Sequence, residues 1–109
     1  MSAPVTIGST PLFQLTFQEE DENGALVAVD LSAATVLRAH FRRPDGTTFS
    51  QDLTLSGTGT DGKAEYQSDS EDLDQAGPWQ IEGWAEWADG KRFGTEPGEF
   101  LVIHPLLAE

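Results

Sequence analysis

The sequence predicts an all-β protein, an antiparallel sandwich of about seven to nine short strands with one short helical turn. Short runs of β-branched and aromatic residues alternate with turn signals roughly every ten residues, and no segment keeps the apolar period of a long helix. Size agrees: 109 residues suit one domain with one core, spanning residues 1–109. The hydrophobic fraction of 38%, with three Trp, six Phe and one Tyr, is enough to fill that core.

Residues 5–8 read as a first strand, broken by Thr10 and Pro11. Residues 12–18 alternate Phe13, Leu15 and Phe17 with Gln14, Thr16 and Gln18, which marks a half-buried strand with its aromatic face inward. Asn23 and Gly24, after the acidic residues 19–22, suit the positive backbone angles of a tight hairpin turn into a short strand over residues 25–29. In the next turn Asp30 or Ser32 caps free amides. Residues 36–43 then place Leu37, Ala39 and Phe41 inward and Arg38, His40 and Arg42 outward.

Pro44, Asp45, Gly46 and Thr47 make a strong turn, because proline presets one central angle and glycine supplies the permissive one. Residues 49–55 are the return strand, and residues 56–62 a flexible Gly/Thr loop. Residues 63–67 form a short strand, and residues 68–75 a capped helical turn closed by Ala76, Gly77 and Pro78. The longest strand, residues 79–88, puts Trp79, Ile81, Gly83, Ala85 and Trp87 on one face and Gln80, Glu82, Trp84 and Glu86 on the other. Asp89 and Gly90 turn it into residues 91–95. Glu96, Pro97 and Gly98 suit a bulge or crossover before the last strand, residues 99–103, which His104 and Pro105 end.

The chain has no cysteine, so neither disulfides nor thiolate metal sites hold it together. Its net charge of -13 repels phosphate backbones, which argues against nucleic acid as a partner and fits either solubility or a basic partner surface. No apolar run approaches a membrane span or the core of a signal peptide. The expectation is a soluble chain made in the host cytoplasm, with no membrane partner.

Three segments together carry a resemblance: "VDLSAATVLRAHFRRPDGTTF", "SEDLDQAGPWQIEGWAEWADGKRF" and the final "EFLVI". The chain resembles the immunoglobulin-like domain of tailed-bacteriophage virion proteins, including the N-terminal domain of siphophage baseplate upper proteins. The resemblance covers nearly the whole chain. Its most specific pieces are Asp30, Leu31 and Ser32, then residues 42–47, then residues 73–79. It implies an immunoglobulin-like sandwich and a non-enzymatic structural, connector or accessory part of a virion, at tail, baseplate, neck or head. Baseplate proteins continue beyond this domain, whereas this sequence stops at Glu109, which favours a self-standing accessory part. Expected partners are other virion proteins and copies of the chain itself, with no cofactor.

Candidate chemistry is sparse. His40 and His104 lie in no nucleophile motif and have no metal-pair spacing; they read as an outward strand residue and a strand-end residue. Glu19 to Glu22 with Asp30, and Asp69, Glu71, Asp72 and Asp74, offer oxygens for calcium without EF-hand spacing, so solvated turns compete with a metal site. The glycines of residues 57–62 lack the Gly-Lys-Ser/Thr ending of a phosphate loop.

Interface candidates are clearer. Trp84 faces outward between Glu82 and Glu86, where an indole serves a subunit contact, stacks on a sugar, or is covered by a loop. The sugar reading makes the chain a carbohydrate-binding or host-adhesion module. Arg38, Arg42 and Arg43 either pair with carboxylates on an adjacent strand or dock an acidic neighbour. Residues 1–8, with Val5 and Ile7, and residues 104–109, with Leu106 and Leu107, are candidate arms that add to a neighbour's sheet.

Overall fold

The computed structural model describes residues 4–104. It is all-β and sandwich-like, with eleven strands, more than the seven to nine expected. The excess comes from expected strands that split where the chain changes partners. No helix occurs among the described residues.

One sheet has the order β1-β11-β9-β5-β6, with β10 also on β9: Val5–Thr6 (β1), Ala34–Arg42 (β5), Thr48–Asp52 (β6), Gly77–Trp87 (β9), Arg92–Gly94 (β10) and Gly98–Ile103 (β11). The second has the order β2-β8-β7, formed by Leu12–Thr16 (β2), Thr54–Leu55 (β7) and Lys63–Gln67 (β8). Gln18–Glu20 (β3) and Leu26–Ala28 (β4) pair only with each other and are exposed throughout. Every pairing is antiparallel except β1 with β11, where Val5 lies opposite Val102.

The two main sheets face each other across aromatic side chains. Phe13 of β2 packs edge-on against Phe41 of β5 and tilts onto Phe100 of β11, with centroids 5.4 and 5.2 Å away. Tyr66 of β8 meets Phe41 from the same side. Trp79, Phe17, Phe41, Leu31, Leu73 and Val102 are fully buried, so both the strands and the loops beside them feed one core. Alternation along β5 and β9 therefore sorts inner from outer residues as the sequence predicts.

Two strands break for a visible reason. The strand expected over residues 12–18 stops at Phe17, whose N–H donates to the Gly62 carbonyl while its own carbonyl accepts from Val29. The chain there leaves the second sheet to form the β3–β4 hairpin. The strand over residues 49–55 breaks at Leu53, which is buried and donates to Leu37. Its two parts belong to different sheets.

Three hairpin turns share one geometry. Gly24, Gly46 and Gly90 each donate to the carbonyl three residues back, at 3.0, 2.9 and 3.0 Å, and each has a φ above 80°. This is a type I turn followed by a left-handed glycine, the usual three-residue hairpin loop. At Asn23 the expectation of a second positive angle is corrected, since no residue other than glycine has one among the described residues. Asp45 and Asp89 hold their turns by accepting the backbone N–H of Thr47 and Lys91.

Two loop expectations are also corrected. Residues 68–75 make no helix. Asp69 and Asp72 turn their carboxylates onto the backbone of Glu71 and Asp69, and this side-chain bonding competes with helical pairing while Leu73 drops into the core. The glycine-rich loop is not loose either. Gly59 accepts from Leu31 at 2.9 Å, and a side chain at Gly62 would overlap the Phe17 carbonyl. These glycines permit close backbone approach over the end of the core.

Candidate interaction face

Outer residues of β5, β6, β9 and β10 form a grid fixed by strand register. Arg42 lies opposite Thr48 and Gln80, His40 opposite Ser50 and Glu82, and Arg38 opposite Asp52 and Trp84. On the far side of β9, Arg92 lies opposite Glu86 and Gly94 opposite Trp84. The face thus carries Arg38, Arg42 and Arg92 against Asp52, Glu82 and Glu86, and contributes nothing to the chain's net charge of -13.

Trp84 sits at the centre of this grid, held on three sides. Its indole N–H donates to Glu86 Oε2 at 2.8 Å, and the His40 ring lies nearly parallel at 6.1 Å. A Cβ placed at Gly94 would come 3.1 Å from the indole Cε3, so a glycine there leaves the ring its room. The indole remains partly accessible and faces away from the core, as parity predicts. His40 Nδ1 lies 3.1 Å from Glu82 Oε1, a cross-strand pair that engages the histidine, while Ser50 stands opposite it on β6.

The three expected arginines separate into three environments. Arg38 makes a loose 3.8 Å pair with Asp52 directly across the strand, and Arg42 is exposed. Arg43 is a clamp. Its Nε lies 3.2 Å from Asp74, its guanidinium stands 4.5 Å over the Phe49 ring, and its side chain is mostly covered. That ion pair reaches a loop, where the sequence suggested an adjacent strand. A stacked, paired guanidinium of this kind is structural.

Val5 and Ile7 are also turned inward on their own molecule. Val5 pairs with Val102, Ile7 donates to the Ile103 carbonyl at 2.9 Å, and both pack partly buried against the core. The segment 5–8 is therefore a strand and turn of its own sheet, where a free arm was expected. Leu106 and Leu107 lie outside the described residues.

The acidic clusters are engaged in turns. The Ser32 hydroxyl, and after it the Ser32 N–H that Asp30 accepts, hold the Asp30 carboxyl below its ordinary value. Asp21 accepts from Asn23 and Ala25, and Asp72 accepts from Tyr66 at 2.6 Å. Among the described residues no three potential metal ligands converge. A concavity of about 650 Å³ opens between the β3–β4 hairpin and β10, lined by Leu15, Leu26, Ile81 and Phe93 with Glu19 and Glu96. Its lining residues include no histidine, serine, lysine or arginine, and its ionisable groups are the carboxylates of Glu19, Glu20 and Glu96.

The sequence did not reveal how residues 43–47 and 73–79 meet. Arg43 pairs with Asp74, the Gln75 amide donates to Asp45 Oδ2 at 2.9 Å, and Pro44 packs on Gly77, where any Cβ would press on its ring. The only signal was that both segments are rich in turn formers with complementary charge. No family model and no curated protein matches this sequence.

Proposed function

We propose that the chain is an immunoglobulin-like module and a non-enzymatic structural, connector or accessory part of a tailed-phage virion. The observation that carries the reading is the interlock of residues 43–47 with 73–79, because these two segments hold most of the specific resemblance and they clamp one end of the sandwich together. Strand order supports the immunoglobulin-like part. The sheets β11-β9-β5-β6 and β2-β8-β7 match the G-F-C-C′ and B-E-D halves of such sandwiches, with β1 added beside the G position.

Trp79 supports it as well. It lies near the start of the F-position strand and donates its indole N–H to the Gln75 carbonyl four residues upstream, as the corner tyrosine of these domains does through its hydroxyl. The partners of such a module are other virion proteins and copies of itself, met through side chains on a rigid sheet. The test is quantitative mass spectrometry of particles purified from a lysate of the host that carries the gene. The expected result is this chain at a fixed copy number per particle after density-gradient purification. Particles that lack it overturn the reading.

A second reading as a carbohydrate-binding or host-adhesion module is favoured by one arrangement, the partly open Trp84 indole with Glu82, Glu86 and Arg38 beside it. Sugars stack on such rings and bond to such rims. Retention of the isolated monomer on immobilised glycans, lost in Trp84→Ala, is the result this reading requires.

A further inference from the structure

We propose that the β5–β6–β9–β10 face is a two-fold interface at which two copies of this chain pair. The inference rests on the structural reading above and names the surface and symmetry through which the chain meets itself.

Charge selects the surface. Two chains of net charge -13 repel one another, and the cost is least where the touching surfaces are neutral. This face holds three of the chain's six Lys and Arg residues against three carboxylates, in alternating positions. The acid excess therefore lies elsewhere on the molecule, much of it on the exposed hairpin and turns. The face is centred on the two longest strands, β5 and β9, whose register sets the spacing of its side chains.

Geometry selects the symmetry. A two-fold axis that lies in the interface, parallel to the strands and between β5 and β9, places each β5 over the partner's β9 without changing position along the strand. Residues that are cross-strand neighbours within one copy then meet again between copies. Arg38 comes over the partner's Trp84, and His40 over the partner's Glu82. The first is a cation on an indole and the second repeats an attractive pair. An axis across the strands would instead set β5 on β5; passing at His40 it brings Arg38 over the partner's Arg42, and passing at Arg38 it brings that arginine over its own copy, both repulsive contacts. The self-complementary arrangement is thus the parallel one.

Size sets the expected strength. The 9, 5, 11 and 3 residues of β5, β6, β9 and β10, at about 3.3 Å rise and about 4.8 Å strand spacing, project roughly 440 Å². That lies below the roughly 800 Å² per partner of standard interfaces and suits a small, weak dimer contact. Trp84 has the place and type of a hot spot, central, partly desolvated and ringed by polar groups.

The test is the mass of the full chain by light scattering and sedimentation over a wide concentration range, beside two variants. Wild type is expected to dimerise, and Trp84→Ala and Arg38→Glu each to raise the dissociation constant about tenfold or more while circular dichroism stays unchanged. Because the chain has no cysteine, a mixture of His40→Cys and Glu82→Cys chains reports the geometry directly. Disulfide heterodimers should form between them, and not between either variant and Glu71→Cys. A wild-type chain that is monomeric throughout overturns the proposal, as does a dimer that survives both substitutions. Copy number in purified particles is measured separately, so a monomer found in virions refutes the interface and leaves the virion reading standing.

Discussion

The indole N–H of Trp79 donates to the carbonyl of Gln75 at 2.9 Å, from a ring that is fully buried between Phe49 and Phe100. One side chain thereby fills the core and ties the loop before β9 to the strand itself. Trp79→Ala is expected to cost about 3–5 kcal/mol from the cavity and the lost bond. Trp79→Phe keeps most of the volume and should cost less, since its main loss is the bond to Gln75. Denaturant unfolding checks both, and a Trp79→Phe loss as large as that of alanine would contradict the split.

Glycine substitutions separate two kinds of constraint. A Cβ at Gly83 would stand 2.5 Å from Cζ of Phe17 and overlap the ring edge, whereas at Gly90 it would meet nothing within 4 Å but must take a φ of 93°. Gly83→Ala is expected to force core repacking at a cost of about 1–3 kcal/mol, with shifts reaching Phe17 and Phe93. Gly90→Ala should cost about 1–2 kcal/mol from backbone strain alone and leave the core spectra unchanged. NMR of the aromatic protons distinguishes them even if the two free energies coincide.

The strand plan was legible in the sequence where alternation met turn chemistry. Residues 63–67 and the inner and outer faces of β5 and β9 follow from period two alone, and Gly46 and Gly90 take the turns their neighbours demand. What alternation does not encode is a change of partner. Phe17 and Leu53 continue the apolar pattern of their strands, so nothing local marks that their backbones bond to a different element. Residues 68–75 mislead for a related reason, because the aspartates that would cap a helix instead bind the turn and Tyr66. Trp84 was legible as outward, yet Gly94 and Glu86, which hold it, are set by a register that sequence leaves open.

Stability at both ends of the pH scale has assigned sources. Asp45 accepts from the Thr47 hydroxyl, the Thr47 N–H and the Gln75 amide, which lower its carboxyl to about 2, and Asp30 is lowered through Ser32. A carboxyl with a depressed folded value stabilises above its unfolded value and loses that contribution as pH falls. For Asp45 the window runs from about 4 down to about 2. Tyr66 is raised by burial and by donating to Asp72, so its contribution is complete below about pH 10 and is lost as pH rises above it. In urea midpoints measured against pH, Asp45→Asn should flatten the acid limb alone and Tyr66→Phe the alkaline limb alone.

Arg43 offers a test of the clamp. Its guanidinium pairs with Asp74 and covers Phe49, so Arg43→Lys keeps the charge while losing the planar stack. The expected cost is about 1 kcal/mol, with faster amide exchange confined to residues 69–77 and the turn at residues 45–47 that they contact. Uniform acceleration across all strands would show that the residue acts on global stability and does not hold this one loop.

Gly94 lies on the edge of the proposed interface and acts through its neighbour. A methyl group there would stand 3.1 Å from Cε3 and 3.2 Å from Cζ3 of Trp84, closer than ordinary contact, so the indole must give way. Gly94→Ala should therefore tilt the ring, stretch its 2.8 Å bond to Glu86 and alter tryptophan fluorescence, while an exposed site keeps the change in folding stability within about 1 kcal/mol. If Trp84 is the centre of the dimer, the same substitution weakens self-association with no contact of its own. Adding it to Trp84→Ala should then have no further effect, because the two residues act through one ring. Additive losses in that double variant would mean that Gly94 touches the second copy directly.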